Sequence, residues 1–317
     1  MGNFFVCIII LCKKIFYCFK EKLVTLKIFI RFLRVLPHRF AVMSGGFLGR
    51  VLHLLLWKKV DRCESRCVTA LGVGVTVARK IIRDSFINLG RFAVEFVRFP
   101  VTKKYVRELA DFPDSSKKLF REALSRNHGA ILLVAHMGNW ELAAMRVIAE
   151  GFPLHVVYTP QRNNDGADDL IENIRVNDIG MKLINGDGKN LRDIFKALKA
   201  GETVVIMQDL DARKDGVITK FLGLDASTHE GVVRLYNRFK CPVIPVHMTR
   251  DYDNPVHHHV IFTEILSDRL DKNGRVFGED LIASLELCNT VIEEWIKETP
   301  EQWMWLMDRW EFTQKKI

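Results

Sequence analysis

The sequence predicts an α/β fold in which a mixed, mostly parallel sheet is flanked by helices and preceded by a helical N-terminal segment. Two observations indicate this class. From Ala130 onward, short apolar runs alternate with amphipathic stretches, as expected for buried strands separated by helices. Before Ala130 the apolar residues recur at helical spacing and strand signals are few. The chain therefore divides into a helical N-terminal part and an α/β core.

The predicted elements follow from this alternation. Six segments fit buried strands, at residues 130–136, 154–159, 181–185, 203–209, 241–249 and 257–265. The amphipathic segments between strands predict helices at residues 140–150, 168–179, 188–200 and 228–240. Since neither an internal repeat nor a low-complexity linker is visible, we expect one domain over residues 37–317, with a helical cap at 37–120 and an α/β core at 121–317.

The N-terminal 36 residues are predicted to associate with a membrane. An apolar run, Phe4 to Cys12, is followed by a helical stripe of apolar residues with lysines and arginines between them, which is typical of a basic amphipathic helix lying in a membrane interface. The run of nine is too short to span, because a bilayer crossing needs about 20 apolar residues. No small-residue cleavage site follows it, so we expect an uncleaved anchor. The alternative is a buried helix that covers the domain.

The composition restricts the partners. A net charge of +9 and a pI near 9.2 favour an anionic partner, either nucleic acid, lipid headgroups or an acidic carrier protein. No finger spacing, RNP stretch or basic zipper is present, so nucleic acid is not expected. The seven cysteines are scattered and include no C-x-x-C motif, as is typical of a protein facing a reducing compartment.

The strongest local candidate for chemistry is the segment AILLVAHMGNWELAAM, in which a predicted strand ends at His136 and a helix begins near Asn139, a favoured N-cap residue. His136 and Glu141 are five residues apart and would point about 140° apart on a continuous helix. The turn at Met137 and Gly138 is therefore needed to fold the imidazole back toward the carboxylate. Glu141 would then orient one ring nitrogen while the other takes a proton from a hydroxyl, and the amides of the turn would bind an oxyanion.

Five segments, in order, resemble the blocks of the bacterial lipid A biosynthesis acyltransferases, late acyltransferases related to the glycerolipid acyltransferases. They are HMGNWE at 136–141, YTPQRNN at 158–164, QDLDARKDG at 208–216, a pocket stretch at 221–251 and PEQWMWLMDRWE at 300–311. The resemblance implies a glycerolipid acyltransferase-like fold. It also implies fatty acyl transfer from an acyl carrier protein thioester to a hydroxyl of a phosphorylated glycolipid, the lipid A precursor. The enzyme would work without a cofactor or covalent intermediate, at the cytoplasmic face of the bacterial inner membrane.

The resemblance also assigns residues by position. It makes His136 the base and Glu141 its partner in an H-x4-E motif, and it places Asp209 near the histidine. The residues expected to bind substrate are Asn139, Arg162, Asp209 and Asp211, with Arg162 contacting a phosphate or the developing oxyanion. The closing signature and the Thr228–Gly231 turn depart from the family pattern, which leaves the acceptor open.

Several alternatives remain at this level. The acceptor could be a lysophospholipid or another glycolipid, and the donor could be acyl-CoA. Two other classes are a metal-dependent hydrolase using His136 with the histidines at 257–259, and a catalytically silent membrane-binding protein. Strand alternation places His257 and His259 on one face and His258 on the other, so the three cannot converge on one ion and we predict no metal site.

Overall fold

The computed structural model describes residues 22–126, 129–158, 167–186 and 191–314. The helices in these ranges are α1 Lys22–Val35, α2 His38–Leu55, α3 Trp57–Leu71, α4 Val75–Thr102, α5 Val106–Leu109, α6 Asp114–Leu124, α7 Trp140–Ile148, α8 Ala167–Asn173, α9 Leu191–Lys199, α10 Gly231–Phe239 and α11 Leu281–Glu298. Helix α8 continues as one π-helical segment, Ile174–Ile179. The strands are β1 Ala110–Asp111, β2 Ala130–Val134, β3 Leu154–Tyr158, β4 Lys182–Asn185, β5 Thr203–Met207, β6 Val217–Phe221, β7 Leu224–Thr228, β8 Val243–Arg250 and β9 His258–Phe262.

Seven of these strands form the central sheet, in the order β1-β9-β8-β2-β5-β3-β4. All neighbouring pairs are parallel except β8 and β9. The α/β class and the mostly parallel mixed sheet are therefore confirmed. Strand β2 lies at the centre of the sheet, between β8 and β5. In open α/β sheets of this kind, binding sites lie at the carboxyl ends of the strands.

All six predicted strands are present, each within a few residues of its expected bounds, and so are the four predicted helices of the core. The sequence did not indicate the two-residue edge strand β1 or the separate antiparallel hairpin of β6 and β7. A strand of two residues has no periodicity to detect. The hairpin overlaps only the start of the stretch interpreted as pocket, and its tight turn is Leu222 and Gly223, both with positive φ.

Three glycines allow helices α2 and α4 to pack closely. A β-carbon at Gly90 would lie 2.1 Å from the carbonyl oxygen of Gly45, and one at Gly49 would lie 2.1 Å from that of Phe86. Larger residues would therefore force the two helices apart. This contact buries one face of α2. On the other face, Phe40 is 71% exposed and Phe47 is 68% exposed.

Helix α1 differs from its predicted orientation. Ile30 and Leu33, which belong to the stripe expected to face lipid, are buried against the protein in the same cluster as residues of α4. The Arg34 Nε donates to the carbonyl of Val97 at 2.7 Å, and Arg98 donates to the carbonyl of Leu33. The described part of the anchor therefore covers the domain on one face. On its other face, Phe32 and Val35 are exposed.

Most of the predicted anchor, residues 1–21, lies outside the described residues. Within the described ranges no single helix is long and apolar enough to cross a membrane. Helices α2 and α3, whose axes meet at 94°, satisfy the criteria of length and composition only when taken together.

Candidate active site

The register of two central strands places His136 beside Asp209. Strands β2 and β5 are parallel neighbours, and Val134 pairs with Met207 at their carboxyl ends. His136 and Asp209 each follow the paired residue by two positions, so both lie at the same level of the crevice. The Nδ1 of His136 is 2.9 Å from Oδ1 of Asp209, and both side chains are buried.

Asp209 accepts three hydrogen bonds. Besides the imidazole, the backbone N–H of His136 donates to Oδ2 at 2.8 Å and Nε1 of Trp303 donates to the same oxygen at 2.9 Å. Burial alone raises the pKa of Asp209, but the charge of the histidine and these donors together bring it below its usual range. An ionised Asp209 can only accept, so the proton of a neutral His136 is held on Nδ1. Its Nε2 has no hydrogen-bond partner among the described residues and keeps its lone pair.

The turn after His136 is held by the C-terminal segment. The N–H of Gly138 donates to the carbonyl of Gln302 at 3.0 Å, and the N–H of Met304 donates to that of His136 at 3.1 Å. Gly138 has φ +59°, and a β-carbon there would lie 2.0 Å from the carbonyl oxygen of Met248, so the site requires glycine. The segment around residue 303 therefore fixes the catalytic turn.

The prediction that the turn amides bind an oxyanion is wrong for the three amides of the turn itself. The N–H of Met137 donates to the carbonyl of Ala135 at 2.8 Å, while those of His136 and Gly138 donate to Asp209 and Gln302. All three backbone N–H groups of the turn are therefore used in hydrogen bonds that hold its conformation.

The predicted contact between His136 and Glu141 is also absent from the described part of the chain. Glu141 is buried in the first turn of α7, where both carboxylate oxygens accept from the guanidinium of Arg175, with Nε 3.0 Å from Oε1. The sheet register already supplies His136 with a carboxylate, whereas Glu141 points toward the π-helical segment that carries Arg175. Both groups nevertheless line the same pocket as His136.

Asn139 is the N-cap of α7, as predicted, because its Oδ1 accepts from the N–H of Leu142 at 3.0 Å. Its assignment to substrate binding stays a prediction, and Asn139 is not among the residues that line the pocket. The side chain is fully buried, and Nδ2 donates to Oε2 of Glu95 at 2.8 Å, so both ends of the amide are used internally. Glu95 in turn accepts two hydrogen bonds from Arg250, at 2.6 and 2.7 Å.

This buried network connects the helical layer to the catalytic turn. Burial alone raises the pKa of Glu95, but Arg250 and His258 bring it well below the usual range of a carboxyl group. Burial lowers the pKa of His258 to about 4, so this imidazole is neutral at physiological pH. The network therefore keeps a carboxylate and a guanidinium away from water. Asn139 links this network to the start of α7, because its side chain bonds both Glu95 and the first turn of the helix.

The other three residues predicted to bind substrate are Arg162, Asp211 and Asp209. Arg162 lies outside the described residues. Asp211 does not line the pocket, because its carboxylate accepts from the N–H groups of Arg213 and Phe312, both at 2.7 Å. It joins the loop after β5 to the C-terminal segment. Asp209 hydrogen-bonds Nδ1 of His136 and does not line the pocket, a position suited to orienting the imidazole.

The pocket is lined mainly by apolar side chains, and its titratable lining residues include His136, Glu141, Asp168, Glu172, Arg175 and His247. His136, Glu141 and Arg175 lie at the carboxyl ends of the strands, and aliphatic side chains cover the sheet face and helix α7 below them. The pocket reaches Leu132 on β2, four residues before His136 and therefore about 13 Å away along the strand. Its apolar walls are formed by Leu132, Val134, Ala143, Ala144, Val147, Leu154, Val156, Ile171, Met181, Val205, Met207 and Val246.

Two residues of the site were not recognised in the sequence as functional. Trp303 belongs to the closing block PEQWMWLMDRWE, whose tryptophans we expected to be core or membrane-interface residues. The residue is indeed buried, but its indole N–H also contacts Asp209. Arg175 carried no signal, because an arginine within an amphipathic helix is normally solvated and its ion pair with Glu141 depends on a local π-helical bend.

Comparison with known proteins identifies the family of this chain. The family described as bacterial lipid A biosynthesis acyltransferase matches residues 20–311. No curated protein matches the chain. Because the family match covers nearly the whole chain, including the described catalytic turn, the pocket and the C-terminal segment, this protein belongs to the bacterial lipid A biosynthesis acyltransferase family and is an acyltransferase.

Proposed function

We propose that the enzyme transfers a fatty acyl chain from an acyl carrier protein thioester to a hydroxyl group of a phosphorylated lipid A precursor. The observation that supports this most directly is the placement of His136. Its proton is held on Nδ1 by Asp209, and the ring lines a long pocket with mainly apolar walls.

The chemistry needs no nucleophile from the enzyme. The Nε2 of His136 takes the proton of the acceptor hydroxyl as its oxygen attacks the thioester carbonyl. The tetrahedral intermediate then collapses, the carbon–sulfur bond breaks, and the leaving thiolate receives the proton from the imidazolium. Throughout, the buried carboxylate of Asp209 stabilises the positive charge that forms on the ring. Arg162 stays a predicted contact for the oxyanion or for a phosphate.

The substrates follow from the pocket and from the charge. Aliphatic walls that extend about 13 Å from the base fit a fatty acyl chain better than a polar donor group. A net charge of +9 favours an acidic carrier protein and a phosphorylated acceptor through salt-sensitive contacts. Acyl-CoA as donor, and a lysophospholipid or another glycolipid as acceptor, are the alternatives that the experiments below separate.

We also propose that the protein works at the cytoplasmic face of the bacterial inner membrane. In addition to the predicted anchor, the outer face of α2 exposes Phe40, Met43, Phe47 and Leu54, which are spaced along one side of the helix. The exposed basic residues Lys27, Arg31, Arg39, Arg50 and Lys58 lie on the same helices or next to them. Apolar side chains combined with cationic ones favour an anionic lipid surface.

Replacing the base tests the reaction. We expect His136→Ala to lower acyl transfer by at least about 10²-fold, the usual scale for loss of a general base. Purified enzyme is incubated with a lipid A precursor or a lysophospholipid and with either an acyl carrier thioester or acyl-CoA, and product masses are measured. The matched control is His155→Ala, on β3 but outside the pocket lining. Undiminished transfer by His136→Ala would exclude this base, and a product only from lysophospholipid would exclude the proposed acceptor.

A second set of variants distinguishes the two carboxylates. We expect Asp209→Asn to lower kcat by about 10²- to 10⁴-fold, because the amide no longer selects the required tautomer. Glu141→Gln should lower activity mainly by removing the carboxylate that holds the Arg175 guanidinium in position at the pocket. Adding Arg175→Met should then restore most of the activity to Glu141→Gln and none to Asp209→Asn. Failure of that rescue, with a loss at Glu141 as large as that at Asp209, would make Glu141 the partner of the base.

The pocket is tested with two neighbouring residues of one strand. Leu132 lines the pocket, whereas Leu133 points into the core on the opposite face of the sheet. Each leucine-to-phenylalanine change should cost about 1–3 kcal/mol in the free energy of unfolding by overpacking. Only Leu132→Phe should shift the preferred donor toward shorter acyl chains, as measured by competition between thioesters of different length. Equal preferences in the two variants would place the acyl chain elsewhere.

The membrane surface is tested by vesicle binding. We expect Phe40→Ser combined with Phe47→Ser to lower the ratio of vesicle-bound to free protein about tenfold on anionic vesicles, because two large apolar contacts are lost. The control changes two comparably apolar exposed residues away from α2, Ile218→Ser with Ile282→Ser. If both double variants bind alike, this face of α2 is not the membrane contact.

A further inference from the structure

A cluster of three metal-ligating side chains lies at the edge of the sheet, outside the acyl pocket. Asp111 of β1 is directly opposite His259 of β9 in the parallel register, and His257 precedes β9 by one residue. The Nε2 of His257 is 3.0 Å and the Nδ1 of His259 is 3.4 Å from the same Oδ2 of Asp111. One ligand atom from each of the three residues lies within 4.8 Å of the other two.

We propose that Asp111, His257 and His259 form a binding site for a divalent transition-metal ion, with Zn²⁺ as the best match. Two imidazole nitrogens with one carboxylate oxygen are ligands that Zn²⁺ accepts, with water completing the coordination. At metal–ligand distances of about 2.0–2.2 Å, tetrahedral ligand atoms lie about 3.3 Å apart. The two separations from Asp111 bracket that value.

The outer nitrogen of His257 supports this assignment. The Nδ1 of His257 is 3.1 Å from the backbone carbonyl oxygen of Glu108, which can only accept, so that nitrogen carries a proton. A neutral His257 therefore directs the lone pair of Nε2 at the carboxylate of Asp111. Histidines that bind metals usually donate their second N–H to a carbonyl or carboxylate, as His257 does. The Nε2 of His259 lies 3.6 Å from Oδ2 of Asp251, beyond hydrogen-bond distance but close enough for an ion pair.

The charges support the same ion. With both rings neutral, Asp111 and Asp251 contribute two negative charges that a dication would balance. The site is open to solvent, since the Asp111 side chain is 57% exposed and that of His259 is 39% exposed, so an ion has a path of entry and room for bound water.

The expected role is structural. Strand β1 has only two residues, and the ion would fasten it to β9 beyond their short ladder. None of the ligands lines the acyl pocket, and no step of the proposed transfer requires a metal. His258, between the two ligands, points to the opposite face, where its Nε2 is 3.2 Å from Oε1 of Glu95. The three adjacent histidines thus serve two separate sites.

The test measures zinc binding directly. The untagged full chain is treated with iodoacetamide, so that zinc held by reactive thiols is not counted, then stripped with a chelator and titrated with Zn²⁺ by calorimetry. We expect about one equivalent to bind, and Asp111→Asn or His257→Gln to weaken binding by at least about tenfold. The control is His155→Gln, which removes a histidine that pairs with Glu202 on the far side of the sheet. It should bind zinc as tightly as the unchanged chain.

A second measurement guards against misfolded variants. In the unchanged chain, Zn²⁺ should raise Tm, and X-ray absorption should show nitrogen and oxygen ligands at about 2.0–2.1 Å. No rise in Tm is expected for Asp111→Asn. The proposal is overturned if the unchanged chain shows no saturable binding, or if His155→Gln weakens binding as much as the ligand variants. Sulfur in the absorption spectrum would also overturn it.

Discussion

The site depends on the parallel pairing of β2 with β5. Because Val134 and Met207 are in register, the residues two positions beyond them meet at the carboxyl edge of the sheet. This pairing brings a histidine and an aspartate together although 73 positions separate them in the chain. The carboxylate is then enclosed, and the donors around it keep it ionised despite burial. A one-residue change of register would separate the pair and turn one of the two side chains to the other face.

The C-terminal segment adds contacts to the turn and to the carboxylate that the sheet brings together. Residues around Trp303 pair with the turn after His136 and add an indole donor to Asp209. Trp303 and Trp305 pack edge to face with ring centroids 4.7 Å apart, which anchors this segment in the core. The turn, the carboxylate and the tryptophans therefore form one rigid unit. Rigidity matters because a general base must keep its geometry while substrate and product exchange.

A second buried unit joins the helical layer to the same turn. Glu95 on α4 and Arg250 at the end of β8 form a hydrogen-bonded ion pair. Asn139 donates to Glu95 and so extends the network to the start of α7. An isolated charge at this depth would be strongly unfavourable, so each member depends on the others. The close packing of α2 on α4 holds that layer in place and leaves the outer face of α2 exposed. One helical layer thus supports the active site and presents an apolar surface.

The α/β class, the six main strands, the N-cap Asn139 and the place of His136 just after a strand could be predicted from the sequence, because periodicity, turn residues and motif resemblance are local properties. Tertiary structure decided which acid serves the histidine. Glu141 is five residues from His136 yet binds Arg175, while distant Asp209 reaches the ring through sheet register. It also decided that Ile30 and Leu33 face the protein and that Asp111 joins two histidines. These outcomes depend on which elements become neighbours, and neighbours in a sheet are set by long-range pairing that no local pattern records.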